Sequence, residues 1–264
     1  YQYNGGEMTN KGFEFSLSTV NINSADFKWN TSFNISFNKN KVESINYLDI
    51  RDMAYFETVG ADAVRLMPGH VVGAFYGYKV DKVDPNTGQL LYKDLDGNGE
   101  FNVGDRTFIG DPNPDFTFGF TNNFKYKNLY LDFLITGSVG NDIFNASRLD
   151  LELMNDFKNQ STAVLDRWTT PGQITNVPKA GSSSALFISD RFVGLKAVTL
   201  GYNFKKALGF NNINLYVTGQ NLFTITDYSG FDPEVNSSGG SVIGVDYGVY
   251  PQVRTFIVGL KANL

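Results

Sequence analysis

From Phe27 to Phe37 the chain reads Phe-Lys-Trp-Asn-Thr-Ser-Phe-Asn-Ile-Ser-Phe, so every odd position except Thr31 is large and apolar and every even one is polar or charged. A period of two places all the apolar side chains on one face of a β-strand and all the polar ones on the other. The run is longer than the ~5–6 residues of an average soluble strand and close to the ~9–11 that a tilted strand needs to cross a bilayer. Lys28, Asn30, Ser32, Asn34 and Ser36 suit a wet lumen, whereas a soluble sandwich would turn the same face to bulk water.

Six further segments repeat the pattern. Phe13, Phe15 and Leu17 share a face between Gly12 and Ile22, and Phe116, Phe118, Phe120 and Phe124 share another. Leu129, Leu131, Phe133 and Ile135 form a fourth stripe, Ile213, Leu215 and Val217 a sixth, and Phe256, Val258 and Leu260 the last. Between Arg191 and Phe204 the apolar residues change parity, from Val193 and Leu195 to Val198, Leu200 and Tyr202, which predicts a β-bulge at Lys196-Ala197. Connections are short after the first, third and fifth segments and long after the others, over about 38–114, 140–190 and 224–250. Membrane barrels have this asymmetry, with tight periplasmic turns and long external loops. Leu149, Leu153, Met154, Phe157, Leu165 and Trp168 recur at helical spacing, so one or two short helices are expected between Asp142 and Trp168. The fold class expected is all-β: an antiparallel transmembrane β-barrel segment of about seven strands. Seven cannot close, since single-chain bacterial barrels use even numbers from eight upward, so the first and last strands need partners from elsewhere.

Composition agrees where it speaks. Aromatics make up 15%, with 23 Phe and 14 Tyr, and no stretch nears the ~18 consecutive apolar residues of a membrane helix. A net charge of −5 argues against a nucleic-acid partner, whose phosphates would need a basic face. The absence of cysteine removes disulfides and thiolate chemistry, and Tyr1-Gln2-Tyr3-Asn4 carries no signal-peptide features. The same stripes also fit a secreted, calcium-stabilised β-sandwich that binds carbohydrate.

One motif carries chemistry. In Asp94-Leu-Asp-Gly-Asn-Gly-Glu-Phe-Asn-Val-Gly-Asp105, oxygen side chains fall at loop positions 1, 3, 5, 9 and 12 and glycine at 6, the calcium-loop pattern with Asp in place of the final Glu. The candidate ligands are Asp94, Asp96, Asn98, Glu100 through its carbonyl, Asn102 and Asp105. The plain alternative is an Asx-rich turn without metal. Catalysis finds little support: His70 is the single histidine, Asp150 and Glu152 are two apart on a helix, and Asp232 and Glu234 flank Pro233 with nothing opposite. No enzyme is expected.

Several segments resemble the C-terminal part of the SusC/RagA-type TonB-linked outer-membrane transporters. The carriers are Thr9-Asn-Lys-Gly-Phe-Glu14, Gly77-Tyr78 through the Asp94 motif to Asp105-Arg106, Ile109-Gly-Asp-Pro-Asn-Pro-Asp-Phe116 and Leu195-Lys-Ala-Val-Thr-Leu-Gly-Tyr202. Near the end stand Gly219-Gln-Asn-Leu-Phe223, Gly230-Phe-Asp-Pro-Glu234 and Tyr250-Pro-Gln-Val-Arg-Thr-Phe256. The resemblance implies a barrel of about 22 strands, a plug domain, energy from the TonB system, and a SusD-like surface lipoprotein closing over oligosaccharide or peptide ligands. The alternation of short and long connections itself places the C-terminus in the periplasm and the long loops outside. The plug and the first barrel strands have no counterpart here, so the expected identity is roughly the last quarter of such a protein. Leu264 departs from the aromatic that commonly ends the family.

Overall fold

The computed structural model describes residues 5–45, 51–56, 61–181, 188–207, 209–234 and 242–263. Among them, seven long strands form one antiparallel sheet: β1 (Gly6–Asn23), β2 (Phe27–Ile45), β3 (Phe116–Tyr126), β4 (Leu129–Asn145), β5 (Ile188–Ala207), β6 (Phe210–Thr226) and β7 (Thr255–Asn263). Each pairs with its neighbour in the chain, so the sheet is an up-and-down meander. The register aligns the alternation across strands. Ile22, Trp29, Phe124, Leu131, Leu200, Val217 and Val258 oppose one another in a single row, and all are apolar. On the other face Asn123 Nδ2 donates to Asp132 Oδ1 at 2.8 Å, and the Thr199 and Thr218 hydroxyls lie 2.9 Å apart. The apolar face stays open: Phe13 is 63% exposed and Val258 73%. That openness is the opposite of a sandwich, in which such residues would be buried against a second sheet.

The expected bulge is present. Leu134 opposes Ala197 and Ile135 opposes Leu195, leaving Lys196 as the extra residue, and the β5–β6 pairing skips at the same place. Strand lengths differ from expectation. β2 continues to Ile45, past the end of its alternation at Phe37, and β1 begins at Gly6. In that extension Lys11 opposes Lys39 and Asn10 opposes Asn40. Where both faces meet water, pairing continues without any need for alternation, so periodicity underestimates the strand.

The long connections gather at one end. In the first, the segments Arg51–Phe56, Ala61–Leu66, Phe75–Tyr78 and Arg106–Gly110 make a four-stranded sheet in that order, and Val80–Val83 pairs with Leu90–Tyr92 in a separate hairpin. In the second, the helical expectation holds only for Ser147–Glu152 and a 3₁₀ turn at Thr162–Asp166. Asp142 to Asn145 instead finish β4, and Phe157 and Leu165 are exposed. The helix stops because Met154 adopts a left-handed φ of 58° ahead of the polar run Asn155-Asp156. In the third, Val245–Asp246 lies parallel to the end of β4 at Phe144 and Asn145.

These connections share one hydrophobic core. Ala63, Val64 and Phe75 from the first meet Phe144 and Ala146 at the end of β4, Leu149 of the helix and Val245 of the third, all fully or nearly buried. The Phe75 and Phe144 rings meet edge-on at 6.0 Å. Gly244, at φ +70°, lets the third connection press in: a Cβ there would stand 2.7 Å from Pro112 and 3.0 Å from the Asp142 carbonyl. Phe144→Ala should cost about 3–5 kcal/mol locally. Hydrogen exchange should then show segments 62–76, 147–152 and 242–246 losing protection together while the seven-strand sheet keeps its own; independent loss in one segment alone would contradict a shared core.

Candidate functional site

The Asp94–Asp105 motif forms a tight loop between the hairpin strand ending at Tyr92 and the segment beginning at Arg106. Gly97 and Gly99 take φ of 72° and 81°, the left-handed values that the sharp turn requires. Asp94 binds the loop's own backbone, its Oδ1 accepting from the Gly97 amide at 2.7 Å and its Oδ2 from the Gly99 amide at 2.8 Å. Asp105, fully buried, accepts from the Leu95 amide at 2.7 Å and the Asn102 amide at 2.9 Å. The result is a pocket of carboxylate oxygens: one each from Asp94, Asp96 and Asp105 lies within 4.8 Å of the others. Gly104 makes room for it, since a Cβ there would stand 2.5 Å from Asp96 Oδ2.

The other expected ligands have partners within the loop: the Glu100 carbonyl, the atom expected from that residue, accepts from Asn102 Nδ2 at 3.1 Å. The Asn98 and Asn102 amide oxygens are turned to the Glu100 and Gly104 amides, at 2.7 Å and 2.6 Å. No Lys or Arg is ion-paired to the three carboxylates among the described residues. Three like charges so close, with no basic partner, are chemically suited to a hard divalent cation bound through oxygen.

The residues considered for catalysis are accounted for by structure. His70 stacks on Phe108 at 3.7 Å, and its carbonyl accepts from the Val42 amide. Asp150 binds Lys158 and the Tyr247 hydroxyl, while Glu152 pairs with Arg148. Asp232 caps two amides, those of Glu234 at 2.9 Å and Gln252 at 2.8 Å, and Glu234 is bonded to Lys196.

Those last contacts explain motifs whose role their letters do not show. Lys196 of β5, Asn221 of β6, Asp232 and Glu234 of the third connection, and Gln252 and Val253 before β7 meet in one knot, with Asn221 Nδ2 donating to the Val253 carbonyl at 3.2 Å. A second knot ties the first connection down. Asn113 Nδ2 donates to the Val72 carbonyl at 3.0 Å, Asn40 Nδ2 donates to Asn113 Oδ1 at 2.7 Å, and the Asp111 amide donates to Asp142 Oδ2 at 2.7 Å. Sequence offers one signal for such sites: Asx residues beside Gly or Pro at strand ends.

An unbroken antiparallel meander, apolar on one face and polar on the other, with its long connections packed at one end, is the wall of a transmembrane β-barrel. No family model matches the chain. It is 38% identical over 98% of its length to TonB-dependent receptor P3 of Formosa agariphila, and 28% identical over 98% to TonB-dependent receptor SusC of Bacteroides thetaiotaomicron. Its fold is that of a solved structure of the RagAB peptide transporter, at a TM-score of 0.81 and 24% identity over 98% of this chain and 30% of that one. Along almost its whole length the chain is thus similar to part of TonB-dependent receptors, SusC among them, and it has the fold of part of the RagAB transporter. It spans 29% and 26% of the length of the two curated relatives. These relatives are receptors and a transporter; the sandwich alternative has neither a covered apolar face nor a relative behind it.

The Asp105 carboxyl is held below the ordinary aspartate range by the Asn102 and Leu95 amides that donate to it. A folded-state value below the unfolded one, about 3.9, means that this stabilisation is complete above the unfolded value and is lost as pH falls through the folded one. Amide protection of Leu95 and Asn102 should therefore persist at pH 5 and fall progressively below about pH 4. Asp105→Asn should show weaker protection already at neutral pH; identical profiles would remove Asp105 as the loop's organiser.

Proposed function

We propose that the chain supplies wall and external loops to an outer-membrane importer of oligosaccharides or peptides, energised by the TonB system and working with a SusD-like surface lipoprotein. The observation that carries this reading is the two-faced meander with its connections packed into one body at a single end, in a chain related along almost its whole length to TonB-dependent receptors. In this reading the short turns and the C-terminus are periplasmic and the long connections extracellular. Ligand passes along the Asn-, Ser- and Thr-rich face. In cells carrying the complete receptor, labelled oligosaccharide or oligopeptide mixtures should enter and stop entering when TonB is deleted; entry of neither would sink the import reading.

The lipid-facing assignment makes a separate expectation. Phe33→Arg places a charge on the apolar face at a cost of about 2–4 kcal/mol near mid-bilayer. Ser32→Arg, one residue away on the polar face, has no such cost. Phe33→Arg should sharply reduce the heat-modifiable barrel in the outer-membrane fraction while Ser32→Arg leaves it near parent level, and equal behaviour of the two would reverse the facing.

The Asp94, Asp96 and Asp105 carboxylates are proposed to hold a structural calcium ion, which neutralises their charge and braces the loop. A loop of this kind on an extracellular surface should bind in the range of about 10⁻⁴–10⁻³ M. Calorimetric titration of the parent should show calcium binding that Asp94→Ala and Asp96→Asn abolish; silence in the parent identifies a plain Asx turn.

A further inference from the structure

The exception in the opening pattern, Thr31, has a counterpart. The apolar face of β2 reads Phe27, Trp29, Thr31, Phe33, Ile35, Phe37, and that of β3 reads Phe116, Phe118, Phe120, Asn122, Phe124, Tyr126. Each is an aromatic-rich stripe with one polar interruption, and the two interruptions stand directly opposite each other. Thr31 Oγ1 donates to Asn122 Oδ1 at 2.8 Å, and Trp29 Nε1 donates to the same oxygen at 2.8 Å. The row continues into β1, where Thr19 opposes Thr31 and Asn21 Nδ2 donates to Thr31 Oγ1 at 2.6 Å. Asn122 is only 2% exposed, and its Nδ2 has no hydrogen-bond partner.

We propose that the Thr31–Asn122 pair is a register lock for β2 against β3. Alternation fixes which face meets lipid, so a slip of one residue is forbidden. A slip of two leaves every face correct and places one aromatic stripe against another nearly identical one. At β1–β2, β3–β4 and β5–β6 a short turn sets the register, and β5 carries a bulge against β4. β2 and β3 are joined by no tight turn but through the long first connection, whose Asn40–Asn113 hydrogen bond lies beyond the alternating segments. In a slipped pairing Thr31 would face Phe120 or Phe124, and Asn122 would face Phe33 or Trp29. The carboxamide would then lose its Thr31 partner in lipid, where a polar group finds no water. The idle Nδ2 is a buried donor without a partner, a cost that an apolar side chain would not carry, although leucine at 122 alone would deprive the Trp29 and Thr31 donors of their acceptor. A buried polar residue kept for pairing specificity is the role an interfacial Asn has in coiled coils.

The test uses the complete receptor carrying cysteine pairs, since this stretch contains no cysteine. Ser32→Cys with Thr121→Cys reports the native register, in which the two residues are opposite, and Ser32→Cys with Asn123→Cys reports a slip of two. Each pair is placed in the parent and in the double variant Thr31→Leu/Asn122→Leu, which removes both polar partners together and keeps the face apolar. Disulfide yield at the slipped pair should rise roughly tenfold in the double variant, the discrimination lost with one to two hydrogen bonds, while barrel assembly stays at parent level. Native cross-linking alone, at parent yield, would overturn the lock. So would loss of the assembled barrel in the double variant, because a lock that only selects register contributes nothing to insertion.

Discussion

Inside a bilayer a backbone amide can be satisfied only by another part of the protein, and the architecture of this chain follows from that one requirement. Each strand must therefore lie against a neighbour along its whole buried length, and the simplest way to achieve this is to pair successive strands. The meander from β1 to β7 does so without a single crossover. Once the ladder takes all the hydrogen bonds, side chains are free to sort by solvent. The row from Ile22 to Val258 and the Asn123–Asp132 contact on the opposite face are two sides of that sorting. The wall then has no apolar surface left to bury against protein, because its apolar face is reserved for lipid.

Burial of the ordinary kind is displaced to the connections. Phe75, Phe144, Leu149 and Val245 are almost wholly buried, whereas the largest apolar residues of β1 and β7 remain open. Phe144 is the hinge of this arrangement, since it ends a wall strand and begins the core of the loop body. The knots around Asn113 and around Lys196 act at the same level, tying each connection to the strand ends from which it rises. Three connections fastened by a shared core and two polar knots behave as one platform, a different object from three independent flaps. A surface that receives a partner or closes over ligand benefits from that rigidity, because less order has to be created on binding.

What the sequence disclosed and what it hid divide along the same boundary. Within the bilayer a period of two is enforced, so strand order, facing and even the bulge at Lys196 can be read from parity alone. Above it the enforcing solvent is gone, and β2 runs on through Asn38, Lys39 and Asn40 with no periodic mark. The spacing of Leu149, Leu153 and Phe157 imitates a helix, but only Leu149 finds a core to enter, and the helix ends at Glu152. Among the candidate metal ligands, Asp94, Asp96 and Asp105 converge as their spacing suggested. The Asn98 and Asn102 oxygens, which a residue count assigns to an ion, are also sought by the loop's own amides. The polar knots were hidden for a different reason: Asn113, Asn221 and Asp232 act on backbone groups far away in the chain, and such partners leave no local pattern.

The bulge at Lys196 shows how wall and loops constrain each other. Without an extra residue, β5 would present either Val193 and Leu195 or Val198 and Leu200 to the lumen, and one half of the strand would face the wrong solvent. One inserted residue repairs the parity and leaves Lys196 outside the regular pairing on both sides, with Leu195 and Ala197 carrying the ladder past it. That freed side chain is the one that binds Glu234, four residues into the motif that also caps Gln252 ahead of β7. A regular strand would have had no residue to spare for the loop. The irregularity that satisfies lipid on one side of the membrane boundary therefore also supplies the anchor on the other, so the bulge and the third connection are constrained together.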